Sequence, residues 1–338
     1  MQSVIRIDIP IPFPIRSVNA YFIPDTIPTL IDAGFHSEEG LEKVELAIKR
    51  TGYRLTDVKR ILLTHGHMDH AGLAGKIAET SGAEVFVHPL DRDKCIWDVR
   101  KNQEEKMAPF LRFFKESGLS DAVINDMAKR MSDRFSRFFP GEFDAVKYIE
   151  GDEVFFFDDF MLKVVYSPGH TLGSVCFFDR ENGMLFSGDH LLENTTSNPQ
   201  VEFESRHKID GYKSLASYLK SLDMIAAMEI IKVLPGHGAP FSNAAKRAEE
   251  IIRHHRMRKK EVLSAFTDKK SGCCDPGGLP LFTITRAIFP QLRGWAIFLG
   301  LSETYGHLEV LEDEGLITSR MVEDNRLYCL RASDGLKT

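Results

Sequence analysis

Thr64-His65-Gly66-His67-Met68-Asp69-His70 places four metal-competent side chains within six residues. A loop leaving a strand can aim His65 and His67 to one side, while Asp69 and His70 sit at the start of a following helix. One ion cannot comfortably take all four, so the spacing implies two. Further candidates stand in glycine-bearing loops: His170 in Ser167-Pro168-Gly169-His170-Thr171, Asp189 in Ser187-Gly188-Asp189-His190, and His237 in Pro235-Gly236-His237-Gly238. Glycine lets such loops turn sharply and bring backbone close to an ion. A lone histidine on a loop is more often a cap or a core residue, and that reading is preferred for His88 and His190. Seven ligand-type residues on loops that follow strands are not explained that way. Imidazole and carboxylate with no thiolate suit Zn²⁺, and Mn²⁺ or iron also fit. Two cations about 3.5–4 Å apart can trap a bridging water, lower its pKa from about 15.7 toward about 7, and polarise the carbonyl or phosphoryl under attack. The expected chemistry is metal-dependent hydrolysis.

Strands must deliver those loops. Val4–Ile9 alternates, Ala20–Ile23 is apolar and β-prone, and Thr29–Gly34 ends a strand in a turn. Glu38–Thr51 has helical periodicity with Gly52 at its end. Val58–Leu63 reads as a buried strand running into the histidine cluster, followed by a helix from about Asp69 to Thr80 and a strand at Glu84–His88. A polar cluster at the carboxyl end of a strand is where α/β sheets place active sites. Strand signals resume at Glu153–Phe157, Met161–Tyr166, Ser174–Phe178 and Met184–Ser187. A helix is expected at Ile209–Ala227 and a strand at Ile230–Leu234.

Two segments break this rhythm. Asp91 to about Asp144 is helical and carries Phe110, Phe113, Phe114 and then Phe135, Phe138, Phe139, each trio spaced to form one apolar helix face. The two faces are expected to pack on each other; the functional alternative is an apolar lid over the metal site. From about Asn243 the chain turns helical and basic through Arg253–Lys260, which marks a domain boundary near 245. Helices are expected at Glu261–Phe266, Phe282–Phe289 and about Ala296–Glu314. Strands at Leu316–Ser319 and Arg326–Leu330 flank a turn at Glu323-Asp324-Asn325.

The ordered series of ligand loops resembles the metallo-β-lactamase superfamily, an αβ/βα sandwich with its site along one edge, over roughly Val4 to Phe241. By that resemblance His65, His67 and His170 hold one metal, Asp69, His70 and His237 the second, and Asp189 bridges them. Asp69 is also the candidate for orienting the hydroxide and passing protons. Asp32, at the end of its strand, is expected to fix the ligand loops from behind. Secreted zinc β-lactamases match less well, since many use a cysteine where Asp189 stands. Flavodiiron oxidoreductases usually have an acid where His67 stands. Three helices and a hairpin make a winged helix, and His307-Leu308-Glu309-Val310-Leu311-Glu312-Asp313-Glu314-Gly315-Leu316-Ile317 is similar to the end of that module in the lactamase-beta-2-like branch. Some members of that branch cleave single-stranded RNA.

A nucleic-acid reader should present a basic face. Ser302–Glu314 instead carries Glu303, Glu309, Glu312, Asp313 and Glu314 with no Lys or Arg, and the formal net charge is −6. A role in packing or dimer contacts is favoured, and a homodimer is one expectation. The five cysteines form no disulfide framework, the N-terminus has no secretion pattern, and no apolar run approaches the ~20 residues that span a bilayer. A cytoplasmic protein without a membrane partner is expected.

The sequence thus leads to an α/β protein. Residues 1–245 form a metallo-β-lactamase αβ/βα four-layer sandwich with a helical insertion at about 91–144, and residues 246–338 form a winged-helix-like domain. The expected function is a dinuclear hydrolase, zinc first among iron and manganese, acting on a small acyl substrate such as a thioester, lactone or ester. A phosphodiesterase or single-strand ribonuclease is the alternative, and a non-catalytic metal-binding interaction protein ranks third. Residues that bind substrate are not legible.

Overall fold

Side-chain alternation decides how the strands stack. In the strands β9 (Val175–Asp179), β10 (Met184–Gly188) and β11 (Lys232–Pro235), Phe177, Phe186 and Leu234 face one way, while Cys176, Phe178, Leu185 and Val233 face the other. The first set meets Tyr21, Ile23, Ile31 and Leu62 from the strands β2 (Ser17–Ile23), β3 (Thr29–Ile31) and β4 (Arg60–Leu62). A strand buried on both faces must be covered on both, so two sheets pack face to face with helices outside.

The computed structural model describes residues 4–95, 103–137, 146–202, 212–267 and 277–331. One sheet runs β1-β2-β3-β4-β5-β6, with β1 at Ile5–Pro10, β5 at Glu84–Val87 and β6 at Val146–Tyr148. The other runs β11-β10-β9-β8-β7, with β7 at Val154–Phe156 and β8 at Met161–Tyr166. The helices α1 (Glu38–Lys49) and α3 (Ala74–Ser81) cover the first sheet through Val44, Ile48 and Ile77. Over the second lie α7 (Ser214–Ala226) and α8 (Ala244–Ser264), through Tyr218, Leu222, Ile225, Ala248 and Ile251. This is the four-layer αβ/βα sandwich that the sequence implied.

Several local expectations shift. The helix expected from Asp69 to Thr80 is two pieces, α2 (Met68–Ala71) and α3, joined at Gly72-Leu73. Gly72 lies so close to the backbone nitrogen of His36, 2.6 Å from where a Cβ would stand, that only glycine fits. Glu261–Phe266 is not a separate helix; its residues to Ser264 complete α8, because nothing between Asn243 and Ser264 breaks a helix. The helix expected from Ile209 begins, among the described residues, at Ser214.

The insertion contributes α4 (Arg92–Cys95), α5 (Gln103–Glu116) and α6 (Asp121–Arg137). Phe110 and Phe114 are buried with Leu281, Phe298, Leu301 and Leu308 of the C-terminal region in one core. Phe114 meets Phe298 edge-on at 6.1 Å, and Phe113 meets Tyr305 at 5.7 Å. The first phenylalanine trio therefore packs on the C-terminal helices. Phe138, Phe139 and the Phe135 side chain lie outside the described residues.

Beyond α8 stand β12 (Leu279–Pro280), α9 (Leu281–Ile288), α10 (Ala296–Asp313), β13 (Ile317–Val322) and β14 (Asn325–Leu330), with the sheet order β12-β14-β13. The start of α8 belongs to the core over the second sheet, whereas Val262, Ala265 and Phe266 at its end belong to the C-terminal core. One continuous helix thus joins the two regions.

Where α8 meets α10, His255 and His307 lie buried with ring nitrogens 3.3 Å apart. Burial, with His254 and Arg258 nearby, pushes His255 down to about 3. Burial and the neighbouring His255 push His307 to about 2. Both are neutral in the fold but titrate near 6.5 when unfolded. Below that pH the unfolded chain takes up protons that the fold refuses, so stability falls as pH falls, by on the order of 1 kcal/mol per pH unit for each histidine. Urea unfolding at pH 7 and pH 5 is expected to show a smaller pH loss for a His255→Phe/His307→Leu variant than for the wild type; equal losses would exclude this pair as the cause.

Candidate metal centre

The sheet topology gathers the ligand-type residues. β3 and β4 are parallel, and β8, β10 and β11 share one direction because β9 runs antiparallel to both β8 and β10. Asp32, His65, His170, Asp189 and His237 all follow carboxyl ends of these strands, and α2 adds Asp69 and His70. Asn19 on β2 fastens the two sheets at this edge, donating through Nδ2 to the carbonyls of Pro235 and Gly238, each at 2.8 Å. Val175 N donates to Thr64 O at 2.8 Å, a second link. Gly236 has to be glycine: a Cβ would stand 2.5 Å from Asp189 Oδ1 and 2.6 Å from the His70 ring.

All seven residues come together. His67 Nδ1 lies 3.0 Å from both His65 Nε2 and His170 Nε2. His70 Nε2 is 3.3 Å from Asp189 Oδ1, and His237 Nε2 is 3.4 Å from Asp189 Oδ2 and 3.5 Å from Asp69 Oδ2. Asp189 Oδ2 is also 3.5 Å from His170 Nε2. Three overlapping groups could each hold a cation: His65/His67/His170, His65/His70/Asp189 and Asp69/His70/His237.

Partners behind the site fix which nitrogen each ring presents. Asp32 is buried in the left-handed region at φ 55, a strained conformation that its contacts hold in place. Its Oδ2 accepts from His70 Nδ1 at 2.8 Å, and its Oδ1 accepts from Thr64 N at 2.8 Å. Thr64 Oγ1 gives its single proton to Asp32, so it can only accept from His65 Nδ1 at 3.1 Å. His237 Nδ1 donates to the carbonyl of Ser17 at 2.6 Å. His170 Nδ1 faces the Asn198 carbonyl at 3.1 Å and Ser197 Oγ at 2.8 Å. Four of the five histidines are thereby left with Nε2 toward the centre.

Sequence reasoning missed Asp91, which stands at the start of the insertion. Its buried carboxylate accepts from Gly66 N at 2.8 Å, Thr171 Oγ1 at 2.6 Å and Gly173 N at 3.0 Å. One side chain thus ties the His65–His67 loop to the His170 loop. Lys94 pairs with it at 3.0 Å and with Glu202 at 2.9 Å. The sequence signal is an aspartate just after a strand end, which is too common to single out. His88 stacks on Tyr166 at 4.7 Å and His190 packs against Tyr218 at 5.0 Å, in keeping with their structural reading.

Charge divides the site in two. Burial, then the neighbouring imidazoles, hold His65 well below its usual pKa, and burial with His170 pushes His67 down to about 3. Burial lowers His170 as well. On the other side burial is outweighed by opposite charge. His237 rises to about 10 beside Asp189 and Asp69, and His70 rises beside Asp189 and Asp32. Burial works against ionisation of Asp189 and Asp69, yet His237 and His70 hold both below the usual carboxylate range.

These residues fit metal ions. Neutral imidazole nitrogens 3.0 Å apart turn lone pairs on one another, which a cation relieves. Ligands about 2.0–2.1 Å from a tetrahedral ion stand about 3.3 Å apart, close to the spacing found. His70 Nε2 and Asp189 Oδ1, buried 3.3 Å apart, have no further hydrogen-bond partner, so both can turn to a cation shared with His65.

Two substitutions test the supporting shell. Asp91→Asn, which leaves Lys94 and backbone donors short of an acceptor, is expected to destabilise the chelator-treated protein by about 3 kcal/mol in urea unfolding. Asp32→Ala is expected to weaken zinc binding roughly 10- to 100-fold in a chelator competition. An affinity within about twofold of the wild type would contradict the role given to Asp32.

Comparison with known proteins agrees with the geometry. The family model described as the metallo-beta-lactamase superfamily matches residues 14–237. The probable metallo-hydrolase YqjP of Bacillus subtilis (strain 168) is 28% identical over 332 residues, covering 97% of each chain. A beta-lactamase-like protein 2 homolog of Drosophila melanogaster is 23% identical, over 82% of this chain and 77% of its own. Among solved structures, a metallo-beta-lactamase family protein of Thermus thermophilus superposes with a TM-score of 0.79 at 25% identity, covering 98% of this chain and 99% of that one. The likeness therefore extends past the sandwich into the C-terminal helices. On the match to most of the sandwich and on this full-length kinship, the chain belongs to the metallo-beta-lactamase superfamily and is a metal-dependent hydrolase.

Proposed function

We propose that the centre is dinuclear and hydrolyses small acyl substrates: a thioester, a lactone or another ester. His65, His67 and His170 hold one cation, Asp69, His70 and His237 the other, and Asp189 stands between them. Zinc is the first choice for this nitrogen and oxygen donor set, which iron and manganese also suit. The observation that carries the reading is the placement of Asp189, whose carboxylate lies 3.5 Å from His170 on one side and 3.3–3.4 Å from His70 and His237 on the other. When bound, such ions polarise a carbonyl and make water acidic enough to attack it at neutral pH.

The chain's own groups supply the rest. Asp69, ionised beside His237, is the group placed to orient the attacking water and pass protons. Asp32 and Thr64 keep His65 and His70 in the tautomers that face the centre, so little reorganisation accompanies reaction.

An acyl substrate is favoured over a polyanion on electrostatic grounds. The basic run on α8 is partly neutralised within the fold: Arg258 meets Glu303 at 2.9 Å and Glu261 at 2.6 Å, and Lys259 meets Glu314. The acidic face of α10 and the basic face of α8 thus serve each other. We read residues from the end of α8 to 331 as a winged helix that packs rather than reads nucleic acid, from its order of helices and its β12-β14-β13 sheet. No described helix is long and apolar enough to cross a membrane, and we take the cytoplasm as the site of action.

Initial rates of the zinc-loaded protein on acyl thioesters, lactones, simple phosphodiesters and single-stranded RNA test this reading. Thioester or lactone turnover is expected, abolished by chelator and reduced about 10²- to 10⁴-fold by Asp69→Ala. Cleavage of RNA alone, lost in the same variant, would replace the acyl reading by the ribonuclease one.

A further inference from the structure

The loop after Asp189 is held from both sides. On its inner side, Ser197 Oγ and the Asn198 carbonyl take the Nδ1 face of His170, at 2.8 and 3.1 Å. Glu202 Oε1 accepts from Leu172 N at 3.0 Å, and its Oε2 pairs with Lys94 at 2.9 Å. On its outer side the same loop is anchored to α10, far along the chain. Asn198 Nδ2 donates to the carbonyl of Leu299 at 3.0 Å, and Val201 N donates to Ser302 Oγ at 3.2 Å. The Leu299 oxygen can only accept, so the amide of Asn198 is oriented without ambiguity. Ser302 is fully buried, and Gly306, one turn further, lets α10 approach α7 so closely that a Cβ would stand 3.0 Å from Leu215 Cβ. Lys213 and Asp313 pair across the same junction.

A histidine ligand binds well only when its far nitrogen is held, because that bond fixes both ring orientation and tautomer. For His65 and His70 the hold comes from Asp32 and Thr64, within the sandwich. For His170 it comes from a loop with no regular structure of its own, and a free loop of that kind would sample many conformations. The two hydrogen bonds to α10 remove that freedom at residues 198 and 201, on either side of Gln200, whose N–H lies 3.5 Å from the His170 carbonyl.

We infer that the C-terminal helical region is part of the metal centre. Asn198 and Ser302 are positioning residues through which α10 sets the affinity of the His65/His67/His170 group for its ion. The inference rests on the reading of His170 as a ligand. It gives the C-terminal region a role in the reaction that needs no nucleic acid, and it makes metal affinity responsive to whatever moves α10.

The test uses the full chain and zinc alone, with affinity read by competition against a chromogenic chelator and stability read by urea unfolding in EDTA. The variants are His170→Ala, Ser302→Ala, Asn198→Leu and the double Asn198→Leu/Ser302→Ala. Thr285→Val is the control: it removes a buried hydroxyl of the same C-terminal core, bonded to Leu281 O at 2.9 Å, while keeping the methyl that faces Gly300 of α10 and touching neither anchor hydrogen bond. The expected result is roughly a tenfold or greater loss of zinc affinity in the double variant, a smaller loss in each single variant, and no change in Thr285→Val at comparable loss of stability. If His170→Ala weakens zinc binding and neither the single nor the double anchor variants do, the inference is overturned while the ligand reading stands. If His170→Ala itself leaves affinity unchanged, the ligand reading fails and takes the inference with it. If Thr285→Val weakens zinc as much as the anchor variants, the effect is general loosening and the inference is again overturned.

Discussion

Two imidazole nitrogens each held 3.0 Å from a third, beside two carboxylates and two further imidazoles, form an arrangement that a folding chain would not adopt unaided. Their lone pairs repel and their burial removes the water that would otherwise satisfy them. The centre exists because four of the five rings are pinned from behind by an acceptor: Thr64 and Asp32, the Ser17 carbonyl, the Asn198 carbonyl. Much of the surrounding fold can be understood as the means of bringing those acceptors to one edge.

Two sheets running the right way give a row of strand ends, but row geometry alone leaves loops free to drift. The cross-links deal with that. Asn19 and Tyr21 of β2 both grip the Pro235 carbonyl, at 2.8 and 2.7 Å, so that the His237 loop of one sheet is tied to the other. Asp91 does the same for the His65 and His170 loops. Its carboxylate stays ionised although burial opposes this, because Lys94, Thr171 and Gly66 hold it near 2. The helices of the insertion and of the C-terminal region are not autonomous either. The first phenylalanine trio of the insertion and the C-terminal helices fill a single core, so insertion and C-terminal region are one structural unit packed beside the sandwich.

How much of this was legible follows from how local each signal is. The seven metal-competent residues were readable as a set because each lies in a short strand–loop motif whose composition differs from ordinary turns. The strand at Val4–Ile9 was readable from its alternation, whereas strands buried on both faces, such as β9 and β10, read as apolar runs whose facing only the packing reveals. Asp32 was identified as supporting the ligand loops because it ends a strand next to the site. Asp91, Ser197 and Asn198 were not, since their partners lie 25 to 82 residues away and nothing near them in the chain differs from a surface loop. The same limit applied to Phe110 and Phe114: spacing showed that they share a helix face, while the surface they meet, Phe298 on α10, was a fact of tertiary packing. The acidic face of α10 and the basic run of α8 were both readable, but that the two pair with each other was legible only in three dimensions.

The most direct test of the dinuclear account is the number of ions the centre holds. Metal-stripped protein would be dialysed against rising zinc concentrations and its bound metal counted by mass spectrometry, for the wild type and for His237→Ala. The account predicts saturation at two ions per chain for the wild type and at one for the variant. Saturation of the wild type at a single ion would contradict it, because Asp189 would then have no second cation to join.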